Sequence, residues 1–215
     1  MERSSNNFCF QISAPMAMFG TPTSKLGCEM ISYPMPTYSS VIGMLNAIYH
    51  RDGLEWVVLA VRVMNKVEYQ NMTIKYPTYK NKKDRFIYSY LINPKYQVLA
   101  YYKMDKKYIN DENADCYLDA DEEIEKAIRR GGNEIVFLGK RHGCMALVEP
   151  CEWMSGEGYY DNKGKSEPIR MFYKFEFIGK RKRKRINKVG FCMQYMENGV
   201  INFEKRLSHI YEVKR

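Results

Sequence analysis

Long apolar runs are missing from this sequence. No stretch of its 215 residues approaches the roughly 20 consecutive apolar residues of a membrane-spanning helix, so no membrane partner is expected. The first residues, Met1 to Asn7, are polar, and no apolar segment of signal-peptide type follows them, so no secretory leader is expected either. The 6 cysteines (Cys9, Cys28, Cys116, Cys144, Cys151, Cys192) are scattered, with no C-x-x-C pair. Zinc-finger spacing is therefore absent, and no metal or cofactor is expected. The thiols read as reduced, most of them buried packing residues of an intracellular chain. Histidine is scarce: His50, His142 and His209 are the only 3.

Positive charge is in excess. Lys and Arg number 34 against 25 acids, a formal charge of +9 that favours a polyanionic partner, nucleic acid first. The apolar content of 45% excludes a disordered chain, and the length allows one large domain or two small ones. The 18 tyrosines and 10 phenylalanines suit strands and base-stacking surfaces.

Phe8, Phe10 and Ile12 alternate with polar residues and predict a first strand. Residues 14–36 read mostly as loop. Thr37 is a candidate N-cap after Pro36, and Val41, Met44, Leu45 and Ile48 follow at helical spacing, with the end near Tyr49 to Asp52. Trp56 to Met64 predicts a buried strand. Arg85 to Ile92 and Lys95 to Met104 predict a hairpin or adjacent strands around Asn93-Pro94. A second helix is expected from caps at Asp119 or Asp121 to the stop at Gly131-Gly132. Glu134 to Leu138 then predicts a short strand.

This order, strand, helix, two strands, helix, strand, is the ferredoxin-like pattern shared by RNA-recognition modules. Beyond about residue 145 the chain turns all-β. Strands are expected at Met171 to Ile178 and Val189 to Met196, and Glu197-Asn198-Gly199 should turn into Val200 to Phe203. The expected class is α+β, with a ferredoxin-like (RRM-like) region over 1–145 and a β-rich region over 146–215.

Charge is patterned along the chain. Residues 179–188 hold 7 bases and no acid, and without them the net charge falls from +9 to +2. Residues 111–125 hold 8 acids and no base. The basic run lies between two expected strands and reads as a β-loop able to grip phosphates, a solvated loop being the alternative.

Three segments, taken in order, carry a resemblance. The first runs from Thr21 to Tyr49, with Lys25, Ser32-Tyr33-Pro34, Pro36-Thr37-Tyr38 and Ala47-Ile48-Tyr49. The second runs from Gly131 to Asp161. It includes Phe137-Leu138-Gly139, Arg141, Val148-Glu149-Pro150-Cys151 and Gly156-Glu157-Gly158-Tyr159-Tyr160-Asp161. The third is Met196-Glu197-Asn198-Gly199 with Ile201 and Phe203. Together they resemble the CRISPR-associated Cas-five family of the RAMP superfamily, in the form found in type I-C systems.

The resemblance implies a prokaryotic, cytoplasmic subunit of the Cascade effector. Its partners would be CRISPR RNA, whose repeat-derived five-prime handle it holds, and the other Cascade subunits, with target DNA as a further candidate. It also implies metal-independent cleavage of the precursor RNA. The alternative is a non-catalytic cap on the RNA, with cleavage lost or passed to another nuclease. RNA contact is expected from Lys25, Tyr33, Arg141 and the run Lys180, Arg181, Lys182, Arg183, Lys184 and Arg185.

The catalytic set that the resemblance implies is a Tyr at the end of the first helix and a Lys-His pair before the second. Tyr49 matches the Tyr. No Lys-His dipeptide occurs in the chain, and the corresponding place holds Asp119 and Ala120. Lys140 and His142, in a glycine-flanked basic loop, are the replacement candidates, with an ordinary RNA-gripping loop as the other reading. His50 follows Tyr49 directly, but neighbours on a helix point about 100° apart.

Overall fold

Strand β1 (Phe8–Ser13) buries Phe8, Phe10 and Ile12 and leaves Cys9, Gln11 and Ser13 partly exposed, the period-two alternation of a strand covered on one face. The computed structural model describes residues 5–20, 29–77, 83–104, 116–141, 144–178, 185–204 and 210–214. Short strands β2 (Met16–Ala17) and β3 (Glu29–Ile31) precede helix α1 (Tyr38–Ile48). Thr37 caps α1 as expected, its hydroxyl oxygen accepting from the Ser40 N–H at 3.2 Å, and Val41, Met44, Leu45 and Ile48 form its buried face. There follow β4 (Leu54–Val63), β5 (Tyr69–Pro77), β6 (Lys83–Ile92), β7 (Lys95–Met104), α2 (Cys116–Arg129) and β8 (Leu147–Pro150). The last strands are β9 (Ile169–Ile178), β10 (Arg185–Gln194), β11 (Val200–Asn202) and β12 (Ile210–Lys214). Among the described residues, two helices and a majority of strands make the class α+β.

The central sheet has the order β11-β4-β7-β1-β8, with every neighbouring pair antiparallel. Strands β8 and β11, from beyond residue 145, lie in the same sheet as β1, β4 and β7. Phe8, Trp56 and Tyr102 meet at its heart, with ring centroids about 6 Å apart. Val41, Leu45 and Ile48 of α1 and Ile124, Ala127 and Ile128 of α2 belong to the same buried cluster. Burying a Leu, Ile or Phe side chain of this kind contributes about 1.5–3 kcal/mol. Strands β2, β3, β5 and β6 form a second sheet, and β9, β10 and β12 a third, in the order β12-β10-β9. The Tyr38 ring joins α1 to the third sheet, 5.0 Å from Tyr173, and lies 5.4 Å from Phe203.

Several expectations change. Strands β6 and β7 do not pair: β6 belongs to the second sheet and β7 to the central one. The chain changes sheet at Asn93-Pro94, opposite the same change at Ala14-Pro15. There the Ala14 N–H donates to Pro94 O at 3.2 Å and the Asn93 N–H to Pro15 O at 2.9 Å. Proline offers no N–H to a ladder, so paired prolines mark where both ribbons leave one sheet for the next.

Glu134 to Leu138 is not a strand. Val136 and Leu138 are buried, but their backbone closes a narrow loop. The Leu138 N–H donates to Cys144 O at 2.8 Å and the Ala146 N–H to Val136 O at 2.9 Å. β8 instead completes the sheet beside β1. Helix α2 starts at Cys116, so Asp119 and Asp121 lie inside it rather than capping it. The turn at Asn198-Gly199 forms as expected, yet β11 leaves β10 and pairs with β4.

Candidate functional site

Tyr49 ends α1, its backbone turned to the extended region at φ −152°, and its ring is buried. The hydroxyl donates to the Glu123 carboxylate on α2, and the Trp56 indole N–H donates to Tyr49 O at 2.9 Å. Burial pushes the Tyr49 hydroxyl up to about 12, the Glu123 hydrogen bond and charge add to this, and Arg51 acts in the opposite direction. A second acid of α2 is used the same way: Tyr102 donates to Asp121 at 2.7 Å. Glu122 and Glu125 pair along the helix with Lys126 and Arg129. This part of the acidic stretch thus docks α2 onto tyrosine hydroxyls of the central sheet and of the end of α1.

Lys140 faces elsewhere. Its backbone N–H donates to Met18 O at 3.2 Å. Its Nζ lies 2.7 Å from the Met30 sulfur and 4.8 Å from the Tyr88 ring centre, both on the second sheet. The preceding residue must be glycine, because a Cβ on Gly139 would stand 2.0 Å from Met18 O. Of the expected set of Tyr49, Lys140 and His142, the two described members have different partners. Tyr49 looks to α2, Lys140 looks to β3 and β6, and His142 lies outside the described residues.

Arg141 is exposed and lines a groove of about 580 Å³ between α1 and residues 134–141, with His50 at the other end of the helix. Tyr33, expected to contact RNA, is buried at 7% exposure, with its hydroxyl bonded to the main chain of Phe172. Its ring belongs to the buried cluster, and β9 packs against α1 nearby. Lys25, Lys180, Arg181, Lys182, Arg183 and Lys184 lie outside the described residues. Arg185 opens β10 opposite Ile178, the last residue of β9, so the basic run connects two paired antiparallel strands. Among the described residues there is no group of three or more metal-ligating side chains, and no helix is long and apolar enough to cross a membrane.

Sequence reasoning missed Arg62. It is 1% exposed, and all its donors are used. It bonds both Asp161 oxygens, Gln97 Oε1 at 3.1 Å, Ser155 O at 3.1 Å and Gly156 O at 2.9 Å. The Gly156-to-Asp161 motif is thus an anchor for its loop. A lone Arg in the Val-rich run of β4 was the available signal, since a buried charge requires a partner.

Among the described residues, an antiparallel central sheet with two helices and two further sheets defines an α+β protein, and its β9–β10 connection is strongly basic in sequence. The CRISPR-associated protein (Cas_Cas5) family matches residues 8–204, nearly the whole described chain, and this protein belongs to that family. Its fold is also that of a solved CRISPR-associated protein, 25% identical, with a TM-score of 0.71 over 94% of each chain. SMU1763c from Streptococcus mutans, described as functionally uncharacterized, is 24% identical, with a TM-score of 0.68 over 94% of each chain. A chain of a CRISPR RNA-guided surveillance complex is more distant, 16% identical with a TM-score of 0.44, over 97% of this chain and 90% of that one. No curated protein matches the chain.

Proposed function

We propose that this protein is the RNA-capping subunit of a type I, I-C-like CRISPR effector, binding the repeat-derived five-prime handle of CRISPR RNA without cutting it. The observation that carries this reading is the delivery of six consecutive bases, Lys180 to Arg185, at the end of a paired antiparallel ribbon in a Cas_Cas5 family chain. Such a run neutralises phosphates whatever the base sequence. The central sheet supports a ferredoxin-like reading in which β8, just beyond residue 145, supplies the fourth strand. Strands β4, β7 and β1 lie side by side, with α1 connecting β1 to β4 through the second-sheet strands. Residues 146–215 then add β8, β11 and the third sheet.

The non-cleaving reading is preferred because of Tyr49. Metal-independent cleavage needs a base near the 2′-hydroxyl and cations for the developing phosphorane charge. The Tyr49 proton is instead held by a carboxylate, and Lys140 lies against Met30 and Tyr88. A processing role would require Tyr49 to leave Glu123 and to gain a Lys-His pair that the chain does not contain. Processing would then fall to another nuclease. The cellular setting consistent with this role is the prokaryotic cytoplasm, among other effector subunits.

The test is incubation of the purified protein with its repeat RNA in EDTA, followed by gel analysis and a binding titration. Tight binding with intact RNA is the expected result. A product ending in a 2′,3′-cyclic phosphate would overturn the non-cleaving reading, and absence of binding would overturn the function.

A further inference from the structure

The groove beside α1 has a chemically specific lining. Its floor is the outer side of the helix, where Gly43 lies one turn from Asn46. Glycine inside a helix costs about 1 kcal/mol relative to alanine. Among the described residues no atom comes within 4 Å of the position a Gly43 Cβ would take, helix backbone and chain neighbours aside, so their packing does not require glycine. The missing side chain leaves the floor of the groove open.

The opposite wall is the segment 134–141, which carries opposite charges at its two ends, Glu134 and Arg141. Between them Ile135 offers an apolar surface, 64% exposed, and Phe137 lies farther along the same wall. The Glu134 N–H is bonded to Ala47 O, which fixes this end of the wall to α1 beside Asn46. A volume of about 580 Å³ lies within the roughly 300–1,000 Å³ of small-ligand sites. That suits one nucleotide.

We propose that this groove holds one unstacked nucleotide of single-stranded RNA, its phosphate at Arg141 and its base edge at Glu134 and Asn46. The inference rests on the RNA-binding reading above and adds a site with a base preference. A carboxylate only accepts hydrogen bonds, so Glu134 favours a base with an exocyclic amino group, cytosine, adenine or guanine, over uracil. Ile135 offers an apolar surface to the base face. A peptide strand is a poorer occupant. The Glu134 N–H and the Leu138 N–H are already bonded within the chain, so the wall offers little of a ladder for strand addition.

The experiment uses the full chain and labelled single-stranded homopolymers of cytidine, adenosine and uridine. The wild type is expected to bind the first two about tenfold more tightly than the third, and Glu134→Gln to erase that preference. Gly43→Phe, filling the floor, is expected to weaken binding to the cytidine and adenosine oligomers about tenfold at unchanged melting temperature. Should Gly43→Phe fail to fold, photocrosslinking of 5-iodocytidine, which keeps the exocyclic amino group, placed within a cytidine oligomer replaces it, with adducts expected on residues 43–50 or 134–141.

A Gly43→Phe protein that binds every oligomer like the wild type, or crosslinks only elsewhere, overturns the groove and leaves RNA binding standing. So does a variant that keeps RNA affinity but loses assembly with another effector subunit, which would make the groove a protein-docking site. Wild type that binds no RNA overturns both proposals.

Discussion

Arg62 on β4 and Asp161, 99 positions later in sequence, form a two-point ion pair, with Nη2 to Oδ2 at 2.6 Å and Nε to Oδ1 at 3.3 Å. Asp161 also accepts from the Gly158 N–H at 2.8 Å. The remaining guanidinium donors go to Gln97 and to the carbonyls of Ser155 and Gly156. One buried cation thus holds the 155–161 loop to the face of the central sheet formed by β4 and β7.

Removing one partner leaves the other charge uncompensated. Asp161→Ala is expected to lower stability by about 2–3 kcal/mol, less than the roughly 3–5 of a fully buried pair, because part of the Asp161 side chain remains in water. Urea unfolding measures it, and a change below about 0.5 kcal/mol would refute the anchoring role.

The same pair sets a pH dependence. The Arg62 hydrogen bond and the Gly158 N–H hold the Asp161 carboxyl below the usual carboxylate range. A group depressed on folding stabilises the native state above its unfolded pKa of about 3.9 and loses that contribution as pH falls through the folded value. The stability gap between wild type and Asp161→Asn should be full at neutral pH and close in acid below the carboxylate range. A gap that stays constant with pH would refute the assignment.

Tyr49→Phe removes one hydrogen bond to a carboxylate while keeping the ring. An expected loss of about 1–2 kcal/mol in stability, with RNA affinity unchanged, follows from a structural role. If the variant instead keeps its stability and abolishes an RNA cleavage present in the wild type, Tyr49 is catalytic.

Substituting Arg181, Arg183 and Arg185 by alanine should weaken binding about equally for all single-stranded RNAs and flatten the dependence of affinity on salt. A triple variant that matches the wild type at every salt concentration would show that the run is not a nucleic-acid contact.

Cys9 and Cys151 stand opposite each other at the end of the β1–β8 ladder, with sulfurs 3.6 Å apart. Diamide, a thiol oxidant that is itself reduced to the hydrazine, should take two hydrogens from this pair and leave a disulfide between β1 and the end of β8. Burial pushes both thiols up, so oxidation should be slow at neutral pH and faster in alkali. Mass mapping of the linked peptides checks the register; a link from Cys9 to any other cysteine would contradict it.

The limits of α1 were legible in the sequence because a helix is a local object. Thr37, three residues before Ser40, and apolar residues at 41, 44, 45 and 48 state its start and its buried face within 12 positions. The alternation of β1 was legible for the same reason, as were the strands that flank the basic run.

What lay outside the sequence was which element meets which. Alternation in Arg85 to Ile92 and Lys95 to Met104 says that each is a strand, and nothing in it says that they enter different sheets. Val136 and Leu138 are buried in the same alternating way, although their backbone bonds close a loop. Tyr49 meeting Glu123, Lys140 lying over Tyr88 and Arg62 finding Asp161 all join positions 50 or more apart. Sequence patterning marked which apolar faces of α1 and β1 would be buried, because periodicity records the presence of a covering surface. Tertiary structure alone decided the identity of that surface, because hydrophobic burial is non-directional and only the packed fold brings distant polar partners into hydrogen-bond range.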